Sequence, residues 1–434
     1  MNQFLRYLGF VMLVGVMLAG CTGENKSNES EDIGKGDGTS GEIKVAAWNL
    51  AADALSQTAD AFMAAYPDTQ VTVEYVTSDY DSIIPPLTAG RGAPDIVQIQ
   101  QRDFPNFLER FPNQFVDISE QLGDHKDEFA ETAWLQVEKE GVPYAVPWDL
   151  GPVGVYYRTD YFEQAGIDPD TLTTWDAFIE AGKQLQNERD GVYMMAHDTV
   201  SGDITDVWYM LLNQLGGQFY DADGRINFTH EANIKALEMT KRFNEEGIVL
   251  NASSWDDRIR AVANGQTATM IYPVWYAGTI KTQAEDQEGK WGVMPLPAFT
   301  EDGPNQANLG GSVLAITEQS DNKALAWKFL AFTLLTNEGQ DIQMAHGLFP
   351  SWQPYYETEK FKATDDYFGI PLSDFFGQVS TEIPPLEFGA HFLDFQKPFE
   401  DATADVMAGQ KSAEEALRDA EQQAARATGL DISE

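Results

Sequence analysis

The feature that most restricts the fold is an alternation of short apolar segments with amphipathic ones between residues 43 and 99. Residues 43–48 read as a buried strand, and residues 53–66 place Leu55, Ala59, Phe62 and Met63 at helical spacing, with Pro67 closing the segment. Residues 70–77 then alternate Val71, Val73 and Tyr75 on one face. A helical stretch over 80–89 leads through Gly90-Arg91-Gly92-Ala93-Pro94 into an apolar strand at 95–99. Strand, helix, strand, helix, strand predicts an α/β fold with a parallel sheet.

A second unit of this kind follows Tyr144-Ala145-Val146-Pro147. Residues 154–157 are strand-like, and 174–185 is an amphipathic helix with Thr174 as its N-cap. The chain is therefore expected to pass into another lobe near Trp148. Residues 269–272 read as a further strand, and 291–297 as one that ends in prolines. Gly310-Gly311-Ser312 precedes a strand at 313–316, after which Ser320 and Asp321 cap a helix that turns Leu325, Phe329 and Leu330 to a core. The prolines mark a second crossing, a return to the first lobe.

The N-terminus carries Arg6 and then an apolar run over 7–20, about fourteen residues, too short for the ~20 of a membrane-spanning helix. It reads as a signal peptide, 1–20. It ends in Leu18-Ala19-Gly20-Cys21, which looks like the lipobox of bacterial lipoproteins, with Cys21 as the lipidated residue. Cys21 is the single cysteine of 434 residues, so an internal disulfide and a cysteine-based metal site are both excluded. Residues 21–41 are polar apart from Ile33 and are expected to form a flexible tether. The roughly 390 residues beyond suffice for two or three domains. Against 28 Lys and Arg stand 69 Asp and Glu, a formal charge of −41 scattered along the chain, which repels nucleic acid and anionic lipid.

The order of several segments resembles the family 1 extracellular solute-binding proteins, the group that includes maltose-binding protein. They are Gly92-Ala93-Pro94-Asp95-Ile96-Val97, then Tyr156-Tyr157-Arg158-Thr159-Asp160-Tyr161 running on to Gly166, then Thr174-Trp175-Asp176-Ala177-Phe178. Gly265-Gln266-Thr267-Ala268-Thr269-Met270 with Trp275, Gly310-Gly311-Ser312, Trp327-Lys328-Phe329-Leu330 and Ala413-Glu414-Glu415-Ala416-Leu417 follow in order. The likeness runs over 43–428, and within the family residues 271–278 and 291–297 look most like binders of arabinose-containing oligosaccharides. The resemblance implies a periplasmic-binding-protein-like architecture, two α/β lobes with a hinge and an interlobe cleft. It implies a first lobe of 42–147 with 298–346, and a second of 148–297 with 347–434. It further implies a monomer outside the cytoplasm, held to the membrane through Cys21 alone, that hands a carbohydrate to the permease of an ABC transporter.

A sugar offers hydroxyls that need paired donors and acceptors, and apolar faces that pack on aromatic rings. Ligands of open α/β sheets lie beyond the carboxyl ends of strands, and ligands of two lobes lie between them. That rule selects Trp48 and Asn49 after the first strand, and Gln100, Gln101, Arg102 and Asp103 after the third. It selects Trp148 and Asp149 at the first crossing, and Trp275 with Tyr276 after the strand 269–272. The family's corresponding tryptophan stacks on sugar at the position of Trp275, and the resemblance adds Asp206 and Trp208 as a polar and aromatic pair. Gly310 and Gly311 would let backbone N–H groups approach a ligand. Phe349, Trp352, His391 and Asp394 are further candidates from the second lobe. A bland reading accompanies each: hinge packing for Trp148, a buried helix face for Trp208, a helix cap for Asp103 and a tight turn for the glycines.

Asp221-Ala222-Asp223-Gly224 has the start of a calcium loop without its later ligands, and reads instead as a hairpin turn. The five histidines show no metal-ligand spacing and no nucleophile elbow occurs, so neither a catalytic residue nor a cofactor is expected. A secreted glycoside hydrolase or lyase stays open as an alternative, since such enzymes also use aromatic clefts with carboxylates. So does a binding protein that reports to a sensor kinase.

Overall fold

The computed structural model describes Ile33, residues 36–200 and residues 203–433. The expected signal peptide, Cys21 and the tether as far as residue 32 lie outside the described residues. The first lobe contains β1 (Ser40–Ala47), β2 (Asp68–Tyr75), β3 (Ile96–Gln100), a small hairpin of β4 (Glu138–Lys139) with β5 (Val142–Pro143), and β6 (Val146–Pro147). The second contains β7 (Val153–Arg158), β8 (Tyr193–His197), β9 (Val249–Asn251), β10 (Thr267–Pro273) and β11 (Trp291–Met294). The chain then returns with β12 (Ser312–Ile316).

Two five-stranded sheets result, ordered β2-β1-β3-β12-β6 and β11-β7-β10-β8-β9. The expected parallel pairing holds for β1 with β2 and β3. β12, outside that run, lies antiparallel to β3 and β6. The reason is direction of arrival. β3 ends where the lobes meet, while β12 begins there, with Ser312 opposite Gln100, because it enters from the other lobe instead of through a crossover helix. In the second sheet β7 likewise leaves the junction and lies antiparallel to β10 and β11, which run back toward it.

Helices cover the sheets with their apolar faces. In Asn49–Ala65, Leu55, Ala59 and Phe62 are buried, and Phe62 meets Phe329 edge-on at 5.4 Å. In Trp175–Glu188, the Thr174 hydroxyl accepts from the Ala177 N–H at 3.2 Å, which is the expected cap. The helix Lys323–Leu334 buries Leu325, Phe329 and Leu330 as expected, but Asp321 does not cap it. Ser320 instead donates to the Asp95 carboxylate at 2.5 Å, tying the end of β12 to the start of β3.

Two further expectations change, and one holds. Ile33 is buried in the first-lobe core, the Asp37 carbonyl accepts from Lys328 at 2.9 Å, and β1 already begins at Ser40. The last residues of the expected tether are thus docked on the helix Lys323–Leu334. The return also comes later than residue 298: Ala298 pairs with Thr174, and Leu296 and Ala307 belong to the second-lobe core. The chain recrosses only at 307–311. At 221–225 the Asp221 N–H donates to the Arg225 carbonyl at 2.9 Å and Gly224 takes φ 77°, the hairpin turn read from the sequence.

Three crossing segments, 148–152, 307–311 and 347–351, lie side by side. Val153 and Leu309 N–H groups donate to the carbonyls of Ala307 and Gly151, and Leu150 N–H to that of Phe349, each at 2.9 Å. Gly151 permits this closeness, since a Cβ there would sit 2.0 Å from the Leu309 oxygen.

Candidate functional site

The ends of β1 and β3 build one wall. The turn out of β1 is tight: Trp48 N–H donates to the Gln98 amide oxygen at 3.0 Å, and Asn49, the first residue of the helix, takes φ 53°. Tyr80, after β2, also has a positive φ, 63°. Two of the four described non-glycine residues in this costly region thus flank one spot, as is common where packing holds a binding surface in place. Tyr80 stands edge-on to Trp48 at 5.7 Å, its hydroxyl donates to Asp103 at 2.7 Å, and it accepts from the Gln100 N–H at 3.0 Å. Gln101 and Asp103 are buried beside it. Burial raises the Asp103 pKa, and Arg102 opposes the rise. The Arg102 Nε and Asp103 Oδ1 atoms are both buried and face each other as an ion pair at 3.9 Å, beyond hydrogen-bond distance.

The end of β10 builds the opposite wall. Tyr272 stacks on Tyr276 at 4.6 Å and 25°, and Trp275 lies 6.0 Å from Trp255, which opens the helix Trp255–Ala263. Trp255 is 38 % exposed, a ring offered to solvent beside a half-buried Trp275. The buried Arg258 guanidinium sits 5.6 Å from the Trp255 ring and is paired with Asp203. The Tyr272 hydroxyl reaches Asp206 at 3.5 Å. Burial pushes the Asp206 carboxyl up to about 7, with Asp203 adding to the rise and Arg258 and Arg102 opposing it. Arg102 also lies 5.8 Å from the ring of Phe392, so this first-lobe cation faces the second lobe.

The crossings form the floor. Burial pushes Asp149 up to about 7, opposed by the Ser312 N–H that donates to it at 2.7 Å. Gly311 has φ 107°, and a Cβ there would come within 2.7 Å of both the Asp149 carbonyl and the Gln101 side chain. Trp275 donates to the Leu309 carbonyl at 3.4 Å and neighbours Gly310, so wall and floor are joined.

The structure thus brings together Trp48, Asn49, Gln100, Gln101, Arg102, Asp103, Asp149, Asp206, Trp275, Gly310 and Gly311. It places others elsewhere. Trp148 is buried in the first-lobe core with its indole N–H on Gln343 at 3.1 Å, so hinge packing accounts for it. Trp208 is fully buried, bonded to the Asn233 carbonyl and packed on Tyr209 and Phe399, all within the second lobe. Tyr276 is buried beneath Tyr272 and supports the wall from behind. Phe349 packs against Tyr356 and Phe361. Trp352 donates to Glu128 at 2.7 Å beside the third crossing, and His391 pairs with Asp394 at 3.5 Å. Sequence reasoning missed Tyr80, Asp203, Trp255, Arg258 and Tyr272. The strand-end rule that found Trp48 would also have found Tyr80; for Trp255 the Ser254 cap signals a helix start, but nothing local says what its first ring faces. Among the described residues no group of three or more His, Cys, Asp or Glu is arranged to hold a metal ion.

The raised carboxyls carry a pH prediction. A folded-state pKa above the ordinary 3.8 means the folded protein binds the proton more tightly than the unfolded chain. Their contribution to stability is complete below the ordinary value and is lost as pH rises through about 7. Melting temperature is therefore expected to fall between about pH 4 and about pH 7, and less steeply in Asp206→Asn and Asp149→Asn. Equal slopes in wild type and variants would refute the assignment.

Comparison with known proteins supplies the wider setting. A family model described as bacterial extracellular solute-binding protein matches residues 46–341. A lactose-binding protein of Rhizobium radiobacter is 32% identical over 366 residues, covering 80% of this chain and 84% of its own. An arabinooligosaccharide-binding protein of Bacillus subtilis (strain 168) is 26% identical over 398 residues, 88% of each chain. Among solved structures, the galacto-N-biose-/lacto-N-biose I-binding protein of an ABC transporter from Bifidobacterium longum has a similar fold. The TM-score is 0.77 at 19% identity, covering 92% of this chain and all of the other. No helix among the described residues is long and apolar enough to cross a membrane.

Proposed function

The chain belongs to the bacterial extracellular solute-binding proteins, and from that premise we propose that it captures a carbohydrate between its lobes for import by an ABC transporter. The observation that carries this reading is the pairing of two unlike walls. Trp255 and Trp275 offer ring faces for the C–H side of a sugar, while Arg102, Asp103 and Asp206 offer polar groups for its hydroxyls. The relatives named for lactose and arabino-oligosaccharide support a saccharide of this kind. They are named as binding proteins, which favours capture over cleavage.

Sugar bound to one wall gains contacts with the other only when the three crossing segments bend and the lobes approach, so occupancy shifts the jaw toward closure. The permease would read that closed form. Lipidation of Cys21 would keep the receptor at the outer face of the membrane, beside the permease.

The test is thermal. A ligand that binds only the folded state stabilises it by ~2.7 kcal/mol at a hundredfold excess over Kd. Lactose or arabino-oligosaccharides are expected to raise the melting temperature by several degrees, and glucitol, which lacks a ring to stack, much less. No shift with any saccharide, or release of a cleaved product, would sink the proposal.

A further inference from the structure

The lobes also touch away from the crossings. Asn106, in the first-lobe helix Phe104–Arg110, donates its side-chain N–H to the Ala390 carbonyl at 2.6 Å. Gln136 donates to the Leu386 carbonyl at 2.8 Å. Both acceptors lie on the segment 384–391, which the second lobe holds firmly. Asn213 donates to the Pro384 carbonyl at 2.8 Å, Phe388 packs on Phe392 at 4.7 Å, and Gly389, at φ 70°, lies so close to Tyr220 that a Cβ would come within 2.5 Å of its ring.

Between these two hydrogen bonds the seam is not filled. A cavity of ≈ 240 Å³ lies there, with Glu109 and Lys139 on the first-lobe side and Glu387 and Gly389 on the other. Beside this opening the two hydrogen bonds act together with the Arg102 guanidinium, which lies 5.8 Å from the Phe392 ring of the second lobe. A contact made of two neutral hydrogen bonds and one cation–ring approach is weak enough to open and specific enough to bias where the lobes stop.

We propose that segment 384–391 is a clasp, and that Asn106 and Gln136 are positioning residues that hold the jaw partly shut before any ligand arrives. The effect on binding follows from populations. Apparent affinity is the intrinsic affinity scaled by the fraction of molecules already competent to bind, so a clasp that raises this fraction tightens binding without touching the ligand. The proposal deepens the carbohydrate reading, on which only its consequence for affinity rests; the closure itself is readable with no ligand present.

The experiment measures lobe separation in the full chain carrying Cys21→Ser, with labels introduced at exposed sites by Asp60→Cys in the first lobe and Glu238→Cys in the second. Without sugar, the parent is expected to show a substantial short-distance population. Asn106→Ala combined with Gln136→Ala is expected to move the closed-to-open ratio roughly tenfold toward open, since each bond contributes a few-fold. Gln136 is buried, so Asn106→Asp serves as a second variant: it sets a carboxylate oxygen against the Ala390 carbonyl and is expected to open the jaw with little change in melting temperature. A lactose titration of the same proteins then separates the two ideas. Weaker binding by the same factor supports both, and a distance shift without any sugar binding supports the clasp while removing the carbohydrate reading. Identical distance distributions in parent and variants overturn the clasp.

Discussion

Replacing Trp275 by alanine is expected to weaken carbohydrate binding at least about tenfold while leaving the fold intact. The ring is half-buried at the end of β10, beside Trp255 at 6.0 Å and edge-on to Tyr272 at 5.6 Å. A stacked ring contributes ~0.5–1.5 kcal/mol beyond its burial, and the apolar area it covers adds ~25 cal/mol per Å². A total of ~1.4 kcal/mol is already a factor of ten in affinity. Stability should change little, because the indole gives up only one long bond, to Leu309 at 3.4 Å, and its neighbours Tyr272 and Tyr276 stay stacked on each other. Calorimetry with a saccharide that protects the wild-type protein checks it; an unchanged Kd would remove Trp275 from the site.

Trp208→Ala is expected to do the reverse. Its ring is 0 % exposed, bonded to Asn233 at 3.0 Å and wedged between Tyr209 at 5.4 Å and Phe399 at 5.0 Å. Truncating such a ring leaves a cavity and costs ~3–5 kcal/mol. Against a typical total stability of ~5–15 kcal/mol, that is a large fraction. Denaturant unfolding should show the loss, while molecules that remain folded should bind sugar with near wild-type affinity. A Trp208→Ala protein of normal stability and poor affinity would return this residue to the ligand wall. The two variants thus separate a ring proposed to meet ligand from one that supports the lobe.

The sequence-based readings divide along a physical line. Trp48, Gln100 to Asp103 and Trp275 were legible as wall residues because each follows an apolar strand, and strand ends converge in sheets of this kind. For Trp208 the sequence left a buried helix face and a ligand wall both open. Its helix, Asp206–Gln214, is buried at every position from Val207 onward, so no polar face marks which rings turn inward. Trp255 and Arg258 escaped for the opposite reason: they stand on a charged helix start whose sequence resembles any solvated one, though Arg258 is buried. The return at 307–311 was displaced because residues 298–306 have no periodic pattern, and their attachment to the second lobe depends on the bridge from Ala298 to Thr174.

The order of residues alone determined the alternation of strands and helices, the passage between lobes near Trp148 and the strand ends that line the candidate site, because each follows from local periodicity and turn chemistry. Tertiary structure alone decided that β12 runs against β3, that Arg102 faces Phe392, that Trp255 joins Trp275, and that Asn106 and Gln136 reach the segment 384–391. Those pairings link residues from separate stretches of chain, and their distances are set by how the two sheets dock through three crossing segments. No local pattern encodes such a distance.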